Sequence, residues 1–266
     1  MLRTRVITAL LLVAGFALIL FSLPPLAAKL AFAAIAALAA WEWGGLMRQD
    51  QPARVMYAFV LLLFCWQLAV AADQIVPVLL AVAVVFWILV VPLWFRFKWT
   101  LAGNDFFGYL LGALVILSTW AAMVALHAVS TWLLLAAMAL VWVADISAYF
   151  VGRRFGKHKL AVTISPGKTW EGVAGAMVGV LIYGGIVLTY SPLAGQVPLA
   201  GPSLALLLIL LTAVSVMGDL FESLLKRQAG IKDSSNLLPG HGGVLDRIDA
   251  LTSTLPLAAL ILHFVR

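Results

Sequence analysis

Nine long apolar runs, nearly free of charged side chains, restrict what this chain can fold into more than any other feature of its sequence. A helix rises about 1.5 Å per residue, so about 20 apolar residues cross the roughly 30 Å hydrocarbon core of a bilayer. A soluble globule is excluded because 64% of the residues are hydrophobic and only 11% are charged. An outer-membrane barrel is excluded because its strands are short and alternate apolar with polar residues. We therefore predict an all-α fold, a polytopic membrane bundle of about nine transmembrane helices, with apolar runs at 6–21, 26–40, 56–72, 76–95, 106–128, 132–150, 173–190, 204–218 and 250–265.

Positive charge is distributed unevenly among the connections between these runs. If the N-terminus is cytoplasmic, 15 of the 17 Lys and Arg residues fall on the inner side, and only Lys29 and Arg266 do not. Cytoplasmic segments of membrane proteins carry such an excess, so we predict a cytoplasmic N-terminus and an external C-terminus. The net charge is +6, but the basic residues are spread over five inner segments, as membrane topology requires. We therefore expect no nucleic-acid partner.

Most ionisable residues lie in two of the predicted inner connections, 152–172 and 219–249. The outer connections are short or nearly uncharged, so we expect the functional site to face the cytoplasm. No internal repeat, low-complexity tract or linker divides the chain. We predict one integral-membrane domain, 1–266, in which 1–105 form N-terminal helices and 106–266 supply the catalytic helices and the two cytoplasmic loops.

Several carboxylates are predicted to lie below the membrane surface. The run 204–218 covers only about 22 Å of the hydrocarbon core before Asp219 is reached. Asp145, near the end of the sixth run, and Asp246 and Asp249, before the ninth, should reach similar depths when tilt is allowed for. Carboxylates at such depth require water, a counter-charge or a metal, which predicts a hydrated cavity open to the cytoplasm. The alternative for each residue is an ordinary helix end in cytosolic water.

If the eighth helix continues past Gly218, one of its faces carries a stripe of polar side chains. Asp219, Glu222, Ser223 and Lys226 are then spaced i, i+3, i+4 and i+7 on one face. Carboxylate oxygens suit a hard cation, and the cations beyond them suit phosphate oxygens. A salt-bridged surface helix would give the same pattern.

A denser motif occupies residues 223–249, with Lys-Arg, Lys-Asp, His-Gly-Gly and Asp-Arg-Ile-Asp at fixed spacings. It resembles the characteristic pattern of the phosphatidate cytidylyltransferase (CDP-diacylglycerol synthase) family. The resemblance extends upstream through Asp145 to 164–172, which reads ISPGKTWEG. The first four runs match only as apolar helices, apart from the Glu42–Trp43 pair at an inner helix end. The matched positions of the motif are Ser223, Lys226, Arg227, Lys232, Asp233, His241, Gly242, Gly243, Asp246, Arg247 and Asp249.

The resemblance implies a nucleotidyltransferase that converts CTP and phosphatidate to CDP-diacylglycerol and pyrophosphate in phospholipid biosynthesis. It implies Mg²⁺, with a second cation such as K⁺, at the cytoplasmic face of a bacterial inner membrane. Membrane lipids are expected around the chain, and a homodimer is the expected assembly.

The resemblance also implies roles for individual residues. Asp219 and Asp246 look like metal ligands, with Asp249 as a third, and Lys226, Arg227, Lys232 and Arg247 are candidates to hold the triphosphate. The remaining catalytic candidates are Asp233 and His241. The substrate-binding candidates are Asp145, Ser165, Lys168, Ser223, Gly242 and Gly243.

Several residues keep more than one interpretation. His241 is a general base, a phosphate ligand or a structural donor in a tight loop. Gly242 and Gly243 allow close approach of the backbone to phosphate, or form an ordinary turn. Ser165 and Lys168 are substrate contacts or part of a helix N-cap, and Glu171 orients Lys168 or completes the cap. Membrane topology and attraction to anionic lipids together explain Arg153, Arg154, Lys157 and Lys159.

Two rival functions remain to be distinguished. A cation- or proton-coupled transporter would place charges along a path to both faces, whereas only one acidic residue is placed outside. A CTP-dependent lipid-alcohol kinase would use the same nucleotide but transfer its γ-phosphoryl group, and the full motif at 223–249 argues against it.

Overall fold

The computed structural model describes residues 2–70, 72–101, 104–193 and 201–265, and within them the fold is all-α, as predicted. Arg266 and most of the connection 191–202 lie outside the described residues. The helices are α1 (Leu2–Ser22), α2 (Pro25–Leu46), α3 (Gln51–Val70), α4 (Ala72–Val85), a π-helical turn (Phe86–Val90), α5 (Val91–Phe97), α6 (Asp105–Val129), α7 (Thr131–Phe155), α8 (Trp170–Tyr190), α9 (Gly201–Ala229) and α10 (Leu245–Val265).

Each predicted apolar run coincides with a helix or, for the fourth run, with α4 and α5 joined through the π-helical turn. Among the described residues, eight helices are long and apolar enough to cross a membrane, and α1 adds a shorter apolar stretch, Val6–Ser22. Large apolar side chains such as Leu10, Phe59 and Val78 are exposed on the outer surface of the bundle. Such a surface suits a lipid environment, so the polytopic membrane fold is confirmed. The cytoplasmic N-terminus and the division at residue 105 stay predictions.

The two polar connections contain more regular structure than we predicted. Helix α7 continues to Phe155, and an antiparallel hairpin of β1 (Lys159–Ala161) and β2 (Ser165–Thr169) leads into α8. Helix α9 continues past Asp219 to Ala229, so the condition for the polar stripe is met. The connection between α9 and α10 is therefore only residues 230–244.

Close helix packing brings α7 and α8 together. A Cβ atom on Gly175 would lie 2.5 Å from Cβ of Val151, and one on Gly179 would collide with Ser147. Small residues at these positions allow the two backbones to approach, as expected for glycines in membrane helices. The hairpin that joins α7 to α8 is thus held close to both helices.

Aromatic packing sets the rotation of α9. The ring of Phe221 contacts Phe86, Trp87 and Trp94 edge-on, with centroids 5.6, 5.5 and 5.4 Å away. Because successive residues of a helix are about 100° apart, Asp219 lies on the opposite side of α9 from Phe221. The packing of Phe221 against the π-helical turn and α5 therefore directs Asp219 towards α7 and α8.

Candidate active site

A cavity of about 650 Å³ lies between α7, α8 and α9, beneath the hairpin. It is lined by four of the predicted site residues, Asp145 of α7, Ser165 and Lys168 of β2, and Asp219 of α9. Three elements that are distant in sequence thus deliver polar groups to one space. We name this space the central cavity.

Opposite charges meet in the central cavity. Lys168 Nζ forms an ion pair with Asp219 Oδ2, and the two side chains are 25% and 27% exposed. Ser223 Oγ donates to Asp219 Oδ1 over 3.3 Å. Asp145 interacts electrostatically with Asp219, and also with Lys168 and Arg247. The cavity therefore combines two carboxylates with cations that can move to an incoming phosphate.

The hairpin is attached to α8 by contacts that differ from our expectation. Thr169 Oγ1 accepts from Gly172 N over 3.1 Å and is the N-cap of α8, so Ser165 is not the cap. Glu171 does not orient Lys168, because its carboxylate lies 2.6 Å from His158 Nδ1 and accepts from His158 N over 3.2 Å. These contacts leave Ser165 and Lys168 facing the cavity.

Tyr149 and Arg153 also line the central cavity, and the sequence analysis did not identify them as site residues. Arg153 Nη1 donates to the Tyr149 hydroxyl over 2.8 Å, and the Tyr149 side chain is 57% exposed. Their spacing could have identified them, because Asp145, Tyr149 and Arg153 follow one another at intervals of four residues and so share one face of α7. The sequence analysis attributed Arg153 to membrane topology and attraction to anionic lipids.

A second polar cluster is buried beside the cavity. Lys226 Nζ lies 2.6 Å from Glu222 Oε2 and 2.6 Å from Asp246 Oδ1. Asp246 Oδ2 accepts from Ser234 N and Ser234 Oγ over 2.9 Å, and from Gly243 N over 2.7 Å. Lys226 and Asp246 are thus engaged with the protein, and neither is among the residues that line the central cavity. Their predicted roles towards triphosphate and metal stay predictions.

Asp249 lies between the central cavity and the buried cluster around Lys226. It is partly buried, accepts from Ala250 N over 2.7 Å, and interacts electrostatically with both Asp219 and Glu222. The carboxylates predicted from sequence are therefore neighbours, but they do not all point into one space.

The connection between α9 and α10 is folded tightly around its glycines. Gly242 has φ of +80°, a conformation that other residues rarely adopt. A Cβ atom on Gly243 would collide with Ser234 Oγ and with the carboxylate of Glu42, a residue of α2. His241 Nδ1 is buried and has no hydrogen-bond partner among the described residues. Both glycines are thus required by the packing of the loop.

The other predicted cations lie at the surface. Arg227 is exposed, with Nε 3.5 Å from Ile164 O and Nη1 3.4 Å from Ile231 O, which places it next to the hairpin. Lys232, Asp233 and Arg247 are also exposed. These side chains are free to rearrange around a charged ligand.

The donor set can be compared with the needs of a metal ion. Among the described residues, no group of three or more His, Cys, Asp or Glu side chains is arranged to hold one. Mg²⁺ is commonly bound by one or two carboxylates together with water and substrate phosphates. Asp145 and Asp219 fit that requirement because both line the central cavity. Asp246 does not line it, and its Oδ2 accepts from the backbone N–H groups of Ser234 and Gly243.

Comparison with known proteins identifies the family of the chain. The chain is similar to the phosphatidate cytidylyltransferase of Pseudomonas aeruginosa, at 42% identity over 280 aligned residues that cover 98% of the chain and 97% of the relative. It is 36% identical to the Haemophilus influenzae protein of that name over 291 aligned residues, the full length of both. The Bacillus subtilis protein of that name is 43% identical over 126 residues, 47% of this chain and 45% of the relative. The profile of the Cytidylyltransferase family matches residues 3–265, and the chain belongs to that family.

Proposed function

We propose that the chain transfers the cytidylyl group of CTP to phosphatidate, which yields CDP-diacylglycerol and pyrophosphate. Family membership and the full-length relatives support an enzyme of this class over a transporter. The observation that carries the proposal is the central cavity, where Lys168 pairs with Asp219 beside Asp145 among membrane-spanning helices. A lipid phosphate and a nucleotide triphosphate can meet there without leaving the bilayer surface.

The reaction is a displacement at the α-phosphorus of CTP. An oxygen of the lipid phosphate forms the new bond, the bond from the α-phosphorus to the bridging oxygen breaks, and pyrophosphate leaves with that electron pair. A phosphate monoester has a second pKa of about 6, so the attacking oxygen is already ionised near neutral pH. His241 is therefore not needed as a base, and the barrier is mainly charge repulsion and alignment.

Asp219 and Asp145 are the residues that would hold Mg²⁺, with Asp249 as the neighbouring candidate for a second cation such as K⁺. When bound, the divalent cation supplies charge neutralisation at the phosphates. Lys168 has two possible partners in this arrangement, Asp219 in the free protein and a phosphate oxygen when substrate is bound. When Lys168 moves from Asp219 to the phosphate, the Asp219 carboxylate becomes available to bind Mg²⁺.

Different side chains are assigned to the two substrates. Tyr149 and Arg153 line the central cavity and are exposed on α7, where an anionic lipid headgroup would arrive from the bilayer. Arg227, Lys232 and Arg247 are also exposed, and we assign them to the β- and γ-phosphates of CTP. Lys226 does not contact the phosphates in this arrangement; its ion pairs with Glu222 and Asp246 hold α9 and α10 together.

The location and assembly of the enzyme complete the proposal. The charge distribution supports a cavity that faces the cytoplasm, and the bacterial relatives support an inner-membrane location. A homodimer stays a prediction from the family resemblance.

Product analysis tests the activity. Purified protein in lipid–detergent micelles is incubated with phosphatidate, CTP and Mg²⁺, and the lipids are identified by mass spectrometry. We expect CDP-diacylglycerol and an equal amount of pyrophosphate, both dependent on CTP and formed at least about 10²-fold more slowly with the Asp219→Asn variant. A phosphorylated lipid alcohol instead, or no nucleotide-dependent product from folded protein, would contradict the proposed reaction.

A further inference from the structure

Glu42 is a buried carboxylate outside the predicted catalytic half of the chain. It belongs to α2 and is 0% exposed. Its Oε1 accepts from Ser235 Oγ over 2.6 Å and from Val244 N over 2.9 Å. Its Oε2 accepts from Ser234 Oγ over 3.0 Å and from Leu245 N over 2.6 Å. All four donors come from the connection to α10 and the first residue of that helix, about two hundred positions later in the chain.

Two of these donors explain why a charged group is stable there. The first N–H groups of a helix have no partner within it, and the helix dipole favours an anion at this end. Glu42 accepts from Leu245 N, the first residue of α10, and from Val244 N just before it. A residue of α2 thus caps α10. Ser235 Oγ donates to the same carboxylate, and the single hydrogen of Ser234 Oγ is shared between Glu42 and Asp246.

The contacts continue from Glu42 to the buried cluster. Ser234 Oγ is within hydrogen-bond distance of both Glu42 Oε2 and Asp246 Oδ2, at 3.0 and 2.9 Å. Asp246 in turn pairs with Lys226 of α9. Gly243 fits between Ser234 and Glu42 only because it has no side chain. The backbone of the His-Gly-Gly turn is therefore held between a carboxylate of α2 and one of α10.

The position of Glu42 itself is fixed by its own helix. The next residue, Trp43, is 1% exposed and donates from Nε1 to Gly108 O of α6 over 3.0 Å. Arg54 of α3 interacts electrostatically with Glu42. The backbone that presents the carboxylate is thus anchored by contacts within the N-terminal helices and α6.

We propose that Glu42 is a positioning residue of the active site, which fixes the segment 234–245 and the start of α10. Through that segment it sets the places of His241, Arg247 and Asp249. This inference rests on the proposed cytidylyl transfer. It also assigns a role in that reaction to the N-terminal helices, which otherwise only pack against the catalytic ones.

The experiment compares Glu42→Gln with Glu42→Asp and with Asp105→Asn as a matched control. Gln keeps the shape, but its amide nitrogen donates and cannot accept from the two donors that face it. Asp105 is an exposed carboxylate at the start of α6, so its loss controls for removal of one acidic group. Each protein is measured for kcat, for KM of both substrates, for melting temperature in detergent, and for hydrogen exchange.

We expect Glu42→Gln to lower kcat by about 10²-fold, the order expected when catalytic groups shift by about 1 Å. The KM for phosphatidate should stay unchanged, because Tyr149, Arg153 and Lys168 do not contact Glu42. Exchange should rise in 230–247 and stay unchanged in the hairpin 159–169. Glu42→Asp should recover part of the lost kcat, and Asp105→Asn should match the wild type in every readout.

Wild-type kcat and unchanged exchange in 230–247 for Glu42→Gln would overturn the proposal. A rise in exchange throughout the bundle together with a higher KM for phosphatidate would also overturn it, because that result means general loss of structure. If Glu42→Gln does not fold, Ser235→Ala removes one of the four donors and should give a smaller change of the same pattern. An inactive wild type would refute the proposed function, while the exchange data would still test the placement of the loop.

Discussion

Replacing Lys226 by methionine should destabilise the protein, and not merely weaken its use of CTP. In the structure Lys226 Nζ lies 2.6 Å from both Glu222 and Asp246, and the three side chains are only 11%, 5% and 4% exposed. The Lys226→Met variant keeps most of the side-chain volume but leaves two buried carboxylates without their cation. Removal of one partner from a buried ion pair costs about 3–5 kcal/mol.

The expected loss can be measured as a shift in melting temperature. For a chain of this size, about 1 kcal/mol corresponds to roughly 2–4 °C, so a loss of about 3–5 kcal/mol should lower the midpoint in detergent by roughly 6–20 °C. The Lys232→Met variant is the matched control, since Lys232 is exposed and should shift the midpoint by less than about 2 °C. Adding Glu222→Gln to Lys226→Met should recover part of the loss, because it removes one of the two uncompensated charges.

The alternative for Lys226 is direct contact with the triphosphate. In that case Lys226→Met would keep the wild-type melting temperature and raise KM for CTP, and Glu222→Gln would recover nothing. That pair of results would refute the assignment of Lys226 to the buried cluster.

Three further predictions concern the cavity and the topology. Asp219→Asn should remain folded and monodisperse by size exclusion but lower kcat by at least about 10²-fold. Loss of one preorganised electrostatic contact raises the barrier by on the order of 3 kcal/mol. Near-normal turnover at saturating Mg²⁺ would remove Asp219 from the site. Arg153→Ala should raise KM for phosphatidate but not for CTP, while Arg154→Ala, the adjacent exposed arginine, should change neither; equal effects of the two variants would mean that only membrane charge matters. A reporter that is active only in the cytoplasm should be inactive when fused after Arg266, and an active fusion would contradict the predicted orientation.

The sequence was sufficient to predict the membrane bundle, because hydrocarbon thickness imposes a long uncharged run on every span. It also predicted similar depths for Asp145 and Asp219, since both follow from counting residues along their helices, and the structure places both in the central cavity. Ser165 and Lys168 were identified through their motif, and the structure places both in the central cavity.

The roles of Glu42, Arg153 and Asp246 could not be predicted from local sequence patterns. Glu42 contacts residues 192 to 203 positions away, and no periodicity or motif relates positions so distant. Arg153 carries a signal of spacing, but the positive charge required by topology explains the same residue equally well. The separation of Asp246 from the cavity depends on which donors its loop supplies, and that is known only once the segment 230–244 is folded.

The position of the radioactive label in the lipid product tests the central claim most directly. Purified protein is incubated with phosphatidate, Mg²⁺ and either [α-³²P]CTP or [γ-³²P]CTP, and the extracted lipid is counted. Attack at the α-phosphorus predicts that the α-label enters the lipid fraction and that the γ-label is released in pyrophosphate. If the γ-label enters the lipid and the α-label stays with the nucleotide, the site transfers a phosphoryl group, and cytidylyl transfer at the central cavity is contradicted.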